Sequence, residues 1–171
     1  GGDITVGPQG EVYVCWAGVT DVSPFKETYV GFASSQSGGA SWEVTEEAFE
    51  MDGITGILPN KENIRVNGLP GIAVDTTDGD RRGWIYIVTG QKNRSPAGTD
   101  PDIILNRSAD GGKTWSPAIR VNQDELNNGR TQYFPSVNVD KFGAVNVMYF
   151  DDRFTTNDST GVMLSRSMDG G

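Results

Sequence analysis

The chain repeats itself, and the repeating unit is a pair of short strands. Residues 4–18 (ITVGPQGEVYVCWAG), 72–90 (IAVDTTDGDRRGWIYIVTG) and 137–153 (VNVDKFGAVNVMYFDDR) each read as an alternating apolar strand, a glycine-bearing turn and a second strand of β-branched and aromatic residues. A third strand and a glycine turn follow each pair, in YVGFASSQSGGASW at 29–42, IILNRSADGGKTW at 103–115 and VMLSRSMDGG at 162–171. Ser35, Ser108 and Ser167 mark the same point in each copy, at unequal spacing, which suits four-stranded units with loops of different length. Sheets this small cannot bury their own faces and must pack on one another, as the blades of a β-propeller do; the strand pattern alone also permits a β-sandwich. The expectation is an all-β, partial β-propeller domain over 1–171, with about three four-stranded blades near 1–48, 69–122 and 134–171.

The glycine turn has a physical logic of its own. In SADGGKTW, Ser108 and Asp110 carry side-chain oxygens that accept hydrogen bonds from the N–H groups of the next residues, and Gly112 supplies a backbone angle that other residues avoid. Trp115, just beyond, is expected to fold back as an apolar anchor. The earlier copy keeps Ser35, Gly39 and Trp42 but has serine where the aspartate and threonine stand; the last has Ser167 and Asp169 and reaches only its second glycine. These are structural turns on this reading, joining the third and fourth strands of a blade.

Ser108, Asp110, Gly112, Thr114 and Trp115 match the Ser-x-Asp-x-Gly-x-Thr-Trp pattern of the Asp box, or bacterial neuraminidase repeat, and on it the chain resembles the sialidase superfamily along essentially its whole length. The resemblance implies a six-bladed ring of which about half is here, closed by the remainder of a parent chain or by another subunit. It implies Asp boxes on the outside, a secreted or cell-surface location, and either a sialidase-like glycoside hydrolase or a non-catalytic module binding glycans or proteins. Sialidases grip the substrate carboxylate with three arginines and use a tyrosine paired with a glutamate as nucleophile, with an aspartate as acid and base. Their first arginine precedes Ile-Pro at the start of a blade; in GLPGIAV and YFPSVNV the corresponding positions are Gly68 and Tyr133, so no arginine triad carries over and the catalytic residues are unassigned.

If the Asp-box turns and the first hairpins share one end of the sheets, function belongs at the other. That end receives 18–26, 90–102 and 151–159, with the crossovers at 46–68 and 123–134. Arg65, Arg94, Arg130 and Arg153 fall there. The densest cluster is YFDDRFTTNDS, in which Asp151, Asp152, Arg153, Asn157 and Asp158 suit a calcium ion, a sugar or a solvated turn. Candidate ligand-binding residues are Arg94, Asp102, Arg130, Tyr133, Asp151, Asp152 and Arg153. A net charge of -9 with scattered cations argues against a nucleic-acid partner. The absence of histidine removes the usual serine and cysteine dyads, and a single cysteine, Cys15 in an apolar run, leaves no zinc cluster. No apolar run approaches the length of a membrane span.

Overall fold

The computed structural model describes residues 1–58, 61–155 and 158–171, and among these there is no helix. Strands β1 (Gly2–Val6), β2 (Val12–Val19), β3 (Glu27–Ser35) and β4 (Glu43–Glu50) form one antiparallel sheet in chain order. A hairpin of β5 (Thr55–Leu58) and β6 (Ile64–Asn67) follows as a separate two-stranded sheet. Strands β7 (Gly71–Val74), β8 (Ile85–Gln91), β9 (Asp102–Ser108) and β10 (Ile119–Arg120) make the second large sheet, again with chain neighbours adjacent. The third contains β11 (Gln132–Val139), β12 (Val145–Asp151) and β13 (Gly161–Ser167). The expectation of four strands in this sheet is met only to three among the described residues, and the hairpin in the 46–68 crossover was not anticipated.

Period-two alternation decides how the sheets stack. Tyr13, Cys15, Val30 and Phe32 of the first sheet meet Ile72, Val74, Ile85 and Ile87 of the second. On the opposite face of the second sheet, Tyr86, Val88, Ile103 and Leu105 meet Val145, Val147 and Tyr149 of the third. The middle sheet is therefore apolar on both faces, and all seven residues of β8 are buried. Cys15 lies within the first layer, where burial pushes its thiol up to about 12. Ile54 and Val66, in and beside the hairpin, pack against Tyr133 at the start of the third sheet.

The two ends of the sheets differ. At one end stand the β1–β2 and β3–β4 turns and their counterparts. There Ser108 Oγ accepts from Gly112 N at 2.8 Å and donates to Asp110 Oδ1 at 2.8 Å. Asp110 accepts in turn from the N–H groups of Lys113 and Thr114 at 3.1 and 2.9 Å and from the Thr114 hydroxyl at 2.6 Å. The Thr114 hydroxyl, then its N–H, hold the Asp110 carboxyl down to about 2. In the first copy Ser35 Oγ accepts from Gly39 N at 2.8 Å, while Ser37 Oγ accepts from Ser41 N at 2.9 Å, so a serine takes the place of the aspartate. In the third, Ser167 Oγ accepts from Gly171 N at 2.7 Å and pairs with Asp169 at 2.5 Å.

Trp115 does fold back as an anchor, and it anchors one sheet to another. Its ring lies 5.3 Å from that of Phe32 and 5.1 Å from that of Phe49, both on the first sheet. Trp42 behaves differently: it is 43% exposed, with its Nε1–H bonded to Gly39 O at 3.1 Å. The reason is position, since no sheet among the described residues stands on the outer side of the first one for Trp42 to reach.

Candidate functional site on the loop face

At the other end of the sheets, strands begin or finish in polar residues that are nonetheless buried. Glu27, Gln91, Asp102, Gln132, Asp151 and Asp152 all occupy such ends. Four of them are carboxylates, and withdrawing carboxylates from water is costly unless each finds a partner.

Between the second and third sheets that partnering is extensive. Asp102 Oδ1 accepts from Arg120 Nε at 2.7 Å and Asn122 Nδ2 at 2.6 Å, and its Oδ2 accepts from Gly98 N at 2.7 Å. Arg120 reaches onward to the carbonyl and carboxylate of Asp124 at 2.7 and 3.0 Å. Asp124 also receives Asn122 and Asn128, each at 2.8 Å. Burial pushes the Asp124 carboxyl up, but these two amides and the charge of Arg153 more than offset it, so the group is held below the usual carboxylate value. Gln132 links the cluster to Asp151, which clamps Arg153 through Nε at 2.7 Å and its backbone N at 2.8 Å. The result is one network running from β9 through the β10–β11 crossover to the end of β12.

Near the first sheet the loop face opens instead into a cleft of about 470 Å³. Lys26 Nζ lies 2.8 Å from Asp52 Oδ1, and Arg94 on the β8–β9 loop pairs with Glu50 at the end of β4. Tyr29, Thr28 and Asn93 complete much of its wall. Two opposed ion pairs thus fix donors and acceptors around an open, partly aromatic space. Glu27, behind this region, is buried and accepts from Gly68 N at 2.7 Å. Burial pushes its carboxyl up, and the Gly68 N–H partly offsets that.

The residues singled out from sequence are dispersed by this arrangement. Asp102, Asp151 and Arg153 join the network, and Asp152 turns away to accept from Thr131 N at 2.7 Å. Arg94 belongs to the separate cleft, and Arg130 is exposed on the crossover. Tyr133 is 1% exposed, stacked at 5.6 Å on Phe150 beneath Phe134, and its hydroxyl meets no hydrogen-bond partner among the described residues. The arginines therefore do not surround one carboxylate-sized site. No group of three or more acidic side chains is placed to hold a metal ion among the described residues. Asn157, part of the calcium reading, lies outside them. Arg120, Asn122, Asp124 and Gln132 were missed, although Arg120, Asn122 and Asp124 recur every second residue, as one face of an extended chain requires.

No family model matches the chain, and no curated protein matches it in sequence. Among solved structures it is similar to the Hadza microbial sialidase Hz136, with a TM-score of 0.64 and 15% identity over 99% of this chain and 35% of that one. It is likewise similar to the α-L-arabinofuranosidase Arb93A of Fusarium graminearum, with a TM-score of 0.63 and 16% identity over 98% of this chain and 45% of that one. A protein of unknown function from Dyadobacter fermentans aligns over 99% of this chain and 47% of its own, with a TM-score of 0.60 and 16% identity. The chain thus spans less than half the length of these structures. The sialidase and the arabinofuranosidase are β-propeller glycoside hydrolases, and the likeness at this identity is one of all-β, propeller-like fold.

Proposed function

We propose that the chain is part of a glycan-recognising β-propeller, secreted or displayed at a cell surface, whose binding site lies on the loop face. The observation that carries this reading is the cleft between Lys26–Asp52 and Arg94–Glu50. Sugar hydroxyls both donate and accept, and a wall presenting fixed ammonium, guanidinium, carboxylate and amide groups beside Tyr29 matches that chemistry. The three large sheets are read as three blades. Ile4, Val6 and Val44 on the first sheet and Met148, Val162 and Leu164 on the third are exposed apolar side chains that further blades of a six-bladed ring would cover.

Glycan-array screening of the chain, followed by titration of the best hit, tests the reading. Arg94→Ala and Tyr29→Ala are each expected to weaken that binding by about tenfold or more, a loss of ~1.4 kcal/mol. Absence of any glycan bound by the wild-type chain, or retention of full affinity in both variants, would overturn it. A second reading, glycoside hydrolysis by the complete propeller, is supported by the likeness to a sialidase and an arabinofuranosidase. Release of 4-nitrophenol from aryl glycosides by the full-length protein is its measurement.

A further inference from the structure

The apolar layer between the first and second sheets stops short of the end that carries the Asp-box turns. On the first sheet, Tyr13 of β2 pairs with Ser34 of β3, and Ser34 pairs with Glu43 of β4, so the three form one cross-strand row. Tyr13 belongs to the apolar layer, and Ser34 follows Val30 and Phe32 of that layer at intervals of two, which turns the row toward the second sheet. Glu43 faces the same way, because its neighbour Val44 is exposed on the outer side. Along this face the side chains therefore change from aromatic to hydroxyl to carboxylate.

Opposite the row stand the β7–β8 turn, with Arg82 and Gly83, and the turn of Asp110, and the space between is a cleft of about 350 Å³. Both of its walls belong to four-stranded sheets. Two of its charges are already answered. Arg82 donates to the carbonyls of Pro8, Thr76 and Thr77 and to Asp78, and Asp110 is occupied within its own turn. Three acceptors are not. Ser34 is 8% exposed and lines the cleft, and its hydroxyl meets no hydrogen-bond partner among the described residues. Glu43 and Glu11, on the same wall, form no ion pair among them. A Cβ on Gly7 would stand 2.6 Å from Glu11 Oε2 and 2.9 Å from Tyr13 Cε2, which sets that carboxylate beside the phenol ring. Burial, and after it the Glu11 charge, push the Tyr13 hydroxyl up.

We propose that this cleft is a second ligand site, separate from the loop face, for a small hydroxylated molecule that carries a primary ammonium group and has the size of an amino monosaccharide. An ammonium has three donors and no acceptor, the complement of two carboxylates and a buried hydroxyl. Its charge is drawn to Glu11 and Glu43, and the chain's net charge of -9 favours its approach. Hydroxyls of the same molecule meet Gln36 and Lys113 at the rim. The volume is at the small end for a ligand pocket, with room for one ring. An anionic ligand would face both glutamates with only Lys113 to receive it.

Titration with D-glucosamine below the pKa of its amine, followed by backbone amide chemical shifts, is the test. Shifts are expected at Ser34, Glu43 and Gly111. D-Glucose and N-acetyl-D-glucosamine, which keep the ring but carry no charge, are expected to bind at least about tenfold more weakly. Glu43→Gln, at an exposed position, should weaken glucosamine binding about tenfold and Ser34→Ala about threefold. Lys113→Ala should tighten it about twofold by removing a like charge. Arg94→Ala should leave it unchanged, so that failure of this site and failure of the loop-face site are told apart. Equal binding of the three sugars, shifts confined to the loop face, or undiminished binding to Glu43→Gln would overturn the proposal. So would tighter binding of Nα-acetyl-lysine amide than of glucosamine, which would make a lysine side chain of a partner protein the occupant.

Discussion

Gly112→Ala isolates the contact that ties the second sheet to the first. Gly112 has φ 91°, and a methyl group there would stand within 3.0 Å of three Phe32 ring atoms. The backbone cost of a left-handed angle on an L residue is about 1 kcal/mol or somewhat more. Overpacking a rigid core site adds roughly 2 kcal/mol, because Phe32 is itself held between Tyr13 and Trp115 and has no room to retreat. The expected loss is therefore about 3 kcal/mol. Two controls carry the angle without the contact. At Gly111, φ 77°, a methyl group would meet nothing within 4 Å, and at Gly39, φ 93°, it would meet only Trp42 at 3.8 Å. Each should lose only about 1 kcal/mol on substitution by alanine. Urea unfolding followed by tryptophan fluorescence measures all three, and Gly112→Ala should shift the midpoint by about 1 M more than either control. Equal losses at Gly111 and Gly112 would mean that the turn contributes only its own backbone and that Trp115 and Phe32 are not a rigid junction.

Asp110 predicts a pH window. Its carboxyl, held down to about 2 by Thr114, contributes stability that is fully present above the ordinary value of 3.8 and is lost as pH falls through the folded value. The stability gap between wild type and Asp110→Asn should thus be flat near neutrality and close between about pH 4 and 2, as acid titration of unfolding midpoints would report. Arg120→Ala, which strips a guanidinium from buried Asp102 and half-buried Asp124, is expected to cost about 3 kcal/mol in the same urea assay. Cys15, buried and pushed up to about 12, should resist iodoacetamide in the native chain and react at once in urea, with mass spectrometry as the readout.

The strand pairs were legible because each has one apolar face, and a one-residue slip would turn that face to water. Tyr13, Cys15, Ile85, Ile87, Val145 and Val147 all sit where alternation places them. The β5–β6 hairpin was not legible: four-residue strands such as TGIL and IRVN are too short to establish a period, and they are held by Ile54, Val66 and Tyr133 rather than by their own pattern. Tyr133 misled for the same reason, since its place beside a crossover suggested exposure while the hairpin covers it. At the loop face, sequence located Asp102, Asp151 and Arg153 but could not show that Asp124, nearly thirty residues before Arg153 in the chain, answers the same guanidinium groups.

That compensation bears on which glycans suit the proposed site. Arg153 and Arg120 are already balanced by Asp151, Asp102 and Asp124, and Arg94 by Glu50. An acidic sugar would have to displace a carboxylate from one of them, or lie beside it, and the chain's net charge of -9 opposes its approach. A neutral sugar faces neither cost, because its hydroxyls can bridge an ion pair without separating it. Arg94, Arg120 and Arg153 thus serve the proposed site by ordering its loops, each paired with a carboxylate of the chain itself. Neutral glycans are accordingly the better match for the proposed site in this cleft.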